Sequence, residues 1–253
     1  TVICSDKTGT LTQNVMTVTE ISSLRGKEEP KGKFGSFLLS HAALCNDAIL
    51  QIDKNAATAT GEPTEKALVL AALHAGLKKP DLDKSYKRIN EIPFDSTRKL
   101  MTTVHSSPDH TYRSITKGAF DFLISRCTHI YKDGTQSPLS SQDKNRLYAL
   151  NNSMTERALR VLAVAYKNIE KSDTKNVSSN ELEKGLTFIG LIGMIDPPRE
   201  EVKSAVALCK QAGIKPVMIT GDHVLTAKAI AKELGILNDS SEAITGEELS
   251  RLN

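Results

Sequence analysis

The stretch ICSDKTGTLTQN, residues 3–14, ends a short apolar run on an aspartate, Asp6, and follows it with a lysine, threonines and a glycine. In a parallel sheet, ligands gather at the carboxyl ends of the strands. A carboxylate there can attack a phosphorus atom and become an acyl phosphate. In-line transfer needs the equatorial charge neutralised by a metal, a lysine and backbone amides. Lys7 offers a cation, and the small residues Thr8, Gly9 and Thr10 let the backbone curl as a nest-like anion site. Downstream, KPVMITGD sets Thr220, Gly221 and Asp222 at the end of another apolar run, adding a hydroxyl, an amide and a second carboxylate. Taken alone, DKTGT also reads as a polar turn with an aspartate cap.

The elements around these residues follow from periodicity. TVIC reads as a short buried strand, MTVTEI alternates at period two, and SFLLSHAALC suits a helix. Pro63 suits a first helical position before TEKALVLAALHA, and Gly76 its stop. Strands are expected at KLMTTVH and YRSITK around a loop containing SSPDH, then a helix from about Ala119. A serine-capped helix covers SSQDKNRLYALNNSMTE, RVLAVAY is an apolar strand, KSDTKNVSSNE a polar surface loop, and LTFIGLIGMI a long strand shut off by DPP. From there REEVKSAVALCKQAG, KPVMITGD and HVLTAKAIAKELG alternate helix, strand and helix, the pattern of parallel α/β packing. The middle reads as antiparallel α+β. The expected division is residues 1–13 and 196–253 as one domain, with 14–195 inserted as a second.

Composition narrows the function. The 253 residues carry a formal net charge of +3 with dispersed lysines, which argues against a nucleic-acid partner. Four separated cysteines form no CxxC pair, disfavouring zinc and fitting a reducing setting. No apolar run approaches the roughly 20 residues that cross a bilayer.

DKTGTLTQN is similar to the phosphorylation motif of P-type cation-transporting ATPases, and GEPTEKAL, FDSTRKLM, KGAFD, LRVLAVA, MIDPPRE and MITGD follow in that family's order. Together they span nearly the whole chain and resemble most the type II branch and its calcium pumps. The resemblance implies a Rossmann-like phosphorylation domain of haloacid-dehalogenase type, interrupted by an α+β nucleotide-binding domain built on an antiparallel sheet. It implies ATP and Mg2+ as cofactors. Asp6 would be phosphorylated and would bind the metal, together with the main-chain carbonyl of Thr8. Lys7, Thr220, Gly221 and Asp222 would complete the catalytic set. Related phosphatases carry a second aspartate where Thr8 stands, and a threonine cannot act as general acid and base near neutral pH. The acyl phosphate would therefore persist.

No Walker A sequence is present. By the same resemblance Phe94 stacks on adenine, Lys99 and Met101 line the cavity, and Lys117 lies at its base beside Gly118. Thr64, Glu65 and Arg160 complete the pocket, with Asp196 and Arg199 near ATP. Singly these residues have plainer uses: aromatics mostly pack, methionine fills cores, and a first-turn glutamate complements a helix dipole. Phe120 and Asp121 stand where the family usually has proline and glutamate. Thr60-Gly61-Glu62 and Thr245-Gly246-Glu247 are not the actuator loop, which precedes the phosphorylated aspartate; Thr245 with Glu248 reads as a capping box.

The family's GDGxNDxP metal segment does not occur in the sequence, so the expectation is a cytoplasmic-side fragment of a membrane pump. Its partners would be ATP, the transported cation, and actuator and transmembrane domains of the same parent chain. A soluble phosphatase with a cap domain, or a nucleotide-binding module without activity, are the alternatives. The fragment is expected to bind ATP weakly and to phosphorylate itself little or not at all. Rapid labelling of Asp6 by radioactive ATP would contradict this.

Overall fold

A computed structural model describes residues 1–53, 57–132, 134–174, 178–221, 224–238 and 243–251. The strands are β1 (Val2–Asp6), β2 (Thr17–Ser23), β3 (Gly26–Glu28), β4 (Ile49–Ile52), β5 (Ala57–Thr60), β6 (Lys87–Asp95), β7 (Leu100–Ser106), β8 (Tyr112–Gly118), β9 (Cys127–Lys132), β10 (Thr135–Pro138), β11 (Arg160–Ile169), β12 (Leu186–Ile195) and β13 (Lys215–Ile219). The helices are α1 (Lys33–Leu44), α2 (Pro63–His74), α3 (Lys79–Ser85), α4 (Phe120–Ile124), α5 (Ser141–Glu156), α6 (Ser179–Leu182), α7 (Glu200–Gln211), α8 (Val224–Glu233) and α9 (Gly246–Ser250). Two compact units result. One comprises Thr1–Met16, Ser153–Leu159 and Ile195–Asn253, the other Thr17–Asn152 and Arg160–Met194.

In the first unit β1 and β13 pair in parallel, with Asp6 opposite Ile219. Val202 and Val206, one turn apart on α7, join Leu11, Ile230 of α8 and Leu234 just after it in a small core flanked by Ile195, Met218 and Ile236. The expectation of buried strands is corrected here. Val2, Ile3 and Ile219 are exposed, and the middle of β13 is half-buried. Successive strand side chains point to opposite faces, so Met218 joins the helices while Ile219 turns away. Farther on, Thr245 Oγ1 accepts the Glu248 N–H at 3.2 Å and the Glu248 carboxylate accepts the Thr245 N–H at 2.7 Å, the capping box its spacing suggests.

The second unit is built on one large sheet, ordered β10-β9-β12-β11-β8-β7-β6, with β2 paired to β12 and β3 to β2. Its ladders are antiparallel at β6–β7, β7–β8, β8–β11 and β11–β12, and parallel at β9–β12. Leu38 and Leu39 of α1, Leu68 of α2, Ile115 of β8 and Phe188 of β12 are among its fully buried side chains. Pro63 opens α2 as expected, and Ser140 caps α5 by accepting the Asp143 N–H at 3.1 Å. KRINEIPFD, unassigned by periodicity, is the strand β6, whose pairing with β7 is irregular between Arg88 and Asn90 and between Ile92 and Asp95. The expected surface loop KSDTKNVSSNE contains a short 3-10 turn at Lys171–Thr174 and the start of α6; residues 175–177 lie outside the described residues.

Two histidines are buried in this unit. His41 Nδ1 lies 2.7 Å from the Phe37 carbonyl it can donate to, and its Nε2 3.0 Å from an Arg113 guanidinium nitrogen. Burial, then the Arg113 charge, lowers its pKa to about 3. His105 lies between the Tyr86 carbonyl and the Thr103 hydroxyl, and burial lowers its pKa to about 4, with Arg88 adding to the effect. Both folded values lie below the unfolded one, so the unfolded chain binds more protons between them. Stability from this source is complete above about pH 6.5 and declines as pH falls toward those values, by at most about 1.4 kcal/mol per pH unit for each histidine. Urea unfolding at pH 8 and pH 5 should show the loss, and His41→Gln should flatten it. Equal slopes in the two proteins would exclude His41 as a source.

Candidate functional site

The residues singled out by sequence fall into two groups, one in each unit. In the first, the parallel register ends both strands together, so Asp6 and the Thr220-Gly221 segment emerge at the same, carboxyl end of the pair. The chain after Asp6 turns at once. Thr8 has φ −76° and ψ 122°, and Gly9 has φ +75°, a left-handed conformation that glycine adopts without a Cβ penalty. Asp6 and Thr8 are exposed, whereas Lys7 is buried at 6% exposure and its carbonyl accepts the Thr12 N–H at 3.0 Å. Asp222 lies outside the described residues.

The DPPR segment holds this turn in place. The Asp196 carboxylate accepts the Thr12 hydroxyl at 2.6 Å and the Val15 N–H at 3.1 Å. Arg199 donates from Nε to the Thr12 carbonyl and from a terminal nitrogen to the Gly9 carbonyl, both at 3.1 Å. Backbone bonds from Gln13 to Pro197 and from Arg199 to Leu11, each 3.0 Å, complete the seam. Asp196 and Arg199 thus make these contacts with the loop that follows Asp6. Charge-assisted bonds of this kind are roughly twice as strong as neutral ones, so the loop shape is strongly specified.

In the second unit the register assembles the other group. Met101 lies opposite Lys117 and Leu100 opposite Gly118 across β7–β8, and on the far side Lys117 faces Val164 of β11. Lys117 is buried and donates from Nζ to Glu65 Oε1, in the first turn of α2, at 2.5 Å. Arg160, at the start of β11, donates to the Thr64 hydroxyl at 3.1 Å. Two contacts therefore tie the N-terminus of α2 to the sheet. Phe94, near the end of β6, is 62% exposed, so its ring is not spent on core packing. Lys99 sits at φ +54° in the β6–β7 turn with its ammonium 5.2 Å from the centre of the Phe122 ring.

Asn46 was not singled out by sequence reasoning. It is buried, donates to the Glu65 carbonyl at 3.0 Å and accepts the Ala48 N–H at 2.8 Å, fixing the start of α2. Sequence offered no signal for it, since an asparagine after an apolar helix is ordinarily a solvated end residue. Next to it, the Cys45 thiol reaches the Met101 carbonyl at 3.5 Å. Burial pushes that thiol's pKa up, against the pull of the Lys117 charge.

Comparison with known proteins establishes the family. Residues 36–201 match the family description "P-type ATPase, cytoplasmic domain N". The chain belongs to the P-type ATPase family. It is similar to "Calcium-transporting ATPase 1" of Bacillus cereus, 49% identical over 100% of this chain and 28% of that protein. Similarity extends to "Calcium-transporting ATPase" of Bacillus subtilis, 42% identical over 100% of this chain and 30% of that protein. It also reaches "Sodium/potassium-transporting ATPase subunit alpha-4" of Rattus norvegicus, 35% identical over 99% of this chain and 27% of that protein. The chain thus spans under a third of the length of these P-type ATPases. Among its described residues no helix is long and apolar enough to cross a membrane, and no three His, Cys, Asp or Glu side chains gather as a metal cluster.

Gly118 is where the sheet and the turn meet most closely. A Cβ there would lie 2.2 Å from the Lys99 carbonyl oxygen and 2.6 Å from Leu100 Cδ2. Gly118→Ala should therefore cost about 3 kcal/mol, the upper range for overpacking. Gly246→Ala, at a position with nothing within 4 Å, should cost little. Urea denaturation of both variants checks this, and equal midpoints would refute it.

Proposed function

We propose that this chain is the ATP-binding and phosphorylated region of an ATP-driven cation pump that works through an aspartyl-phosphate intermediate, with calcium as the transported ion. The observation that carries the reading is the strand-end carboxylate of Asp6, exposed beside a tight left-handed turn, in a chain that belongs to the P-type ATPase family. In the proposed step an Asp6 carboxylate oxygen bonds to the terminal phosphorus of ATP. The bond from that phosphorus to the bridging oxygen breaks, and ADP leaves with the electron pair. The first unit then corresponds to a phosphorylation domain of haloacid-dehalogenase type, a reading its parallel strand pair and α7–α8 cover support.

Charge management follows from the residues. Thr220 and Gly221 offer a hydroxyl and an amide at the same strand ends, and Lys7 and Asp222 belong to the same sequence motifs. The donor set near Asp6 is oxygen only, a carboxylate and the Thr8 carbonyl, which suits a hard cation such as Mg2+. That ion would offset negative charge on the phosphoryl group. Thr8 has no carboxyl to activate water, so the intermediate outlives a single encounter.

ATP itself is assigned to the second unit. Phe94 supplies the stacking face for adenine, Met101 and Lys99 the wall, and Lys117 with Gly118 the base. Thr64, Glu65 and Arg160 hold the rim of α2. Calcium as cargo rests on what the Bacillus relatives are named for. The relatives' greater length suggests actuator and membrane domains as partners on the cytoplasmic side of a membrane.

Titrating ATP into the chain should shift the amide signals of Phe94 and Lys117. Phe94→Ala should weaken binding roughly 10-fold, since stacking on a base is worth about 1–3 kcal/mol. In the intact pump, label trapped from radioactive ATP should sit on Asp6 and vanish in Asp6→Asn. Silence at both amides, or label on another side chain, would remove the reading.

A further inference from the structure

Glu183 stands in none of the motifs above, yet it is the most completely buried acidic side chain described, at 0% exposure. Burying a carboxylate is costly unless it is paired and fully hydrogen-bonded. Here both oxygens are used. Oε1 accepts from the Arg98 guanidinium and from the Thr102 hydroxyl at 2.7 Å, and Oε2 accepts from Arg126 at 3.0 Å. Thr102 in turn lies 3.0 Å from the Thr116 hydroxyl on β8.

The two arginines come from different places. Arg98 is the fifth residue of FDSTRKLM, in the turn between β6 and β7. Its other terminal nitrogen donates to the Pro93 carbonyl at 2.6 Å, next to Phe94. The same turn is closed by Asp95, whose carboxylate accepts the Arg98 N–H at 2.7 Å and whose carbonyl accepts the Lys99 N–H at 2.6 Å. Arg126 lies two residues beyond α4, the helix that carries Phe122, the ring under the Lys99 ammonium. One carboxylate therefore fastens both sides of the Lys99–Phe122 contact. It also pulls the turn that presents Phe94 against the sheet.

We propose that Glu183 is a positioning residue for the base-binding rim. Through Arg98 and Arg126 it sets the spacing between the Phe94–Lys99 turn and α4, and thereby the affinity for an adenine nucleotide. The inference rests on the nucleotide reading above. Its physical logic is that a bond from the Ala119 N–H to the Lys99 carbonyl at 3.1 Å fixes the main chain of the turn, while Phe94 and Phe122 are both exposed, so the spacing of their rings needs a further constraint. A carboxylate anchored in the core supplies that constraint from behind.

Three proteins test it by calorimetric titration with ATP and with adenosine, alongside hydrogen exchange at the Arg98 and Lys99 amides. In Glu183→Gln the charge is removed with the shape kept. Both ligands should bind about 10-fold more weakly, because the rim faces the base, and exchange at the two amides should rise at least 10-fold. Thr102→Val removes a hydrogen bond to the same carboxylate without touching either arginine. It should lower thermal stability while leaving both affinities near those of the unaltered chain. Should Glu183→Gln fail to fold, Arg126→Gln carries the same expectation with a smaller loss. Unaltered affinities and exchange in the charge-removed protein overturn the inference alone. The same holds if Thr102→Val weakens binding as much as Glu183→Gln does. If the unaltered chain binds neither ligand, the nucleotide reading itself falls, and this inference with it.

Discussion

A lysine ammonium inside a protein must find a partner, and the pairing of Lys117 with Glu65 is the interaction from which the second unit's arrangement follows. It fixes the first turn of α2 against β8, two sequence-distant elements that hydrophobic burial alone would allow to slide. Asn46 and Arg160 reinforce the same junction from either side, one through the Glu65 carbonyl and the other through the Thr64 hydroxyl. Once α2 is fixed, the register of β7, β8 and β11 decides where Met101, Gly118 and Arg160 stand. Removing either partner would leave a charge in a poor solvent, so the pair constrains both the fold and whatever binds at its edge.

The first unit solves a different problem, that of shaping a loop with few apolar contacts of its own. Asp6 is placed by strand pairing, but the turn behind it is held by the side chains of Asp196 and Arg199, more than 180 positions away in sequence. The Asp196–Arg199 segment is thus a structural part of the loop that follows Asp6. That dual use explains why an aspartate and an arginine flank two prolines: the prolines stiffen the return path while the charged groups reach the loop's carbonyls, amide and hydroxyl.

Sequence made the strand-end placement legible because apolar runs ending in Asp6 and Thr220 carry their own geometry, and the register places both at one end. Pro63, Ser140 and the Thr245–Glu248 pair were readable for the same local reason. Burial was less so: Val2 and Ile219 look like core residues but lie on the face away from Met218, and Ile3 is exposed although it shares the Met218 face. β6 escaped notice because its alternation is carried by charged residues and broken by Pro93, with pairing irregularities on both flanks. Glu183 was invisible for a deeper reason. It lies in a run of polar residues that any surface loop would have, and only the arrival of two arginines from remote segments gives it a role.

The pairing of β2 with β12 has a consequence for how the chain assembles. Joining Val2–Asp6 to Lys215–Ile219 directly would mean closing a loop of some 200 disordered residues, slow for any contact so distant along the chain. Yet the intervening unit, once its own sheet has formed, already draws its entry and exit strands into hydrogen-bonded neighbours. The long closure then shrinks to a short one. Formation of the β2–β12 pairing ahead of the β1–β13 pairing therefore carries the smaller loop-closure cost for the first unit's two strands.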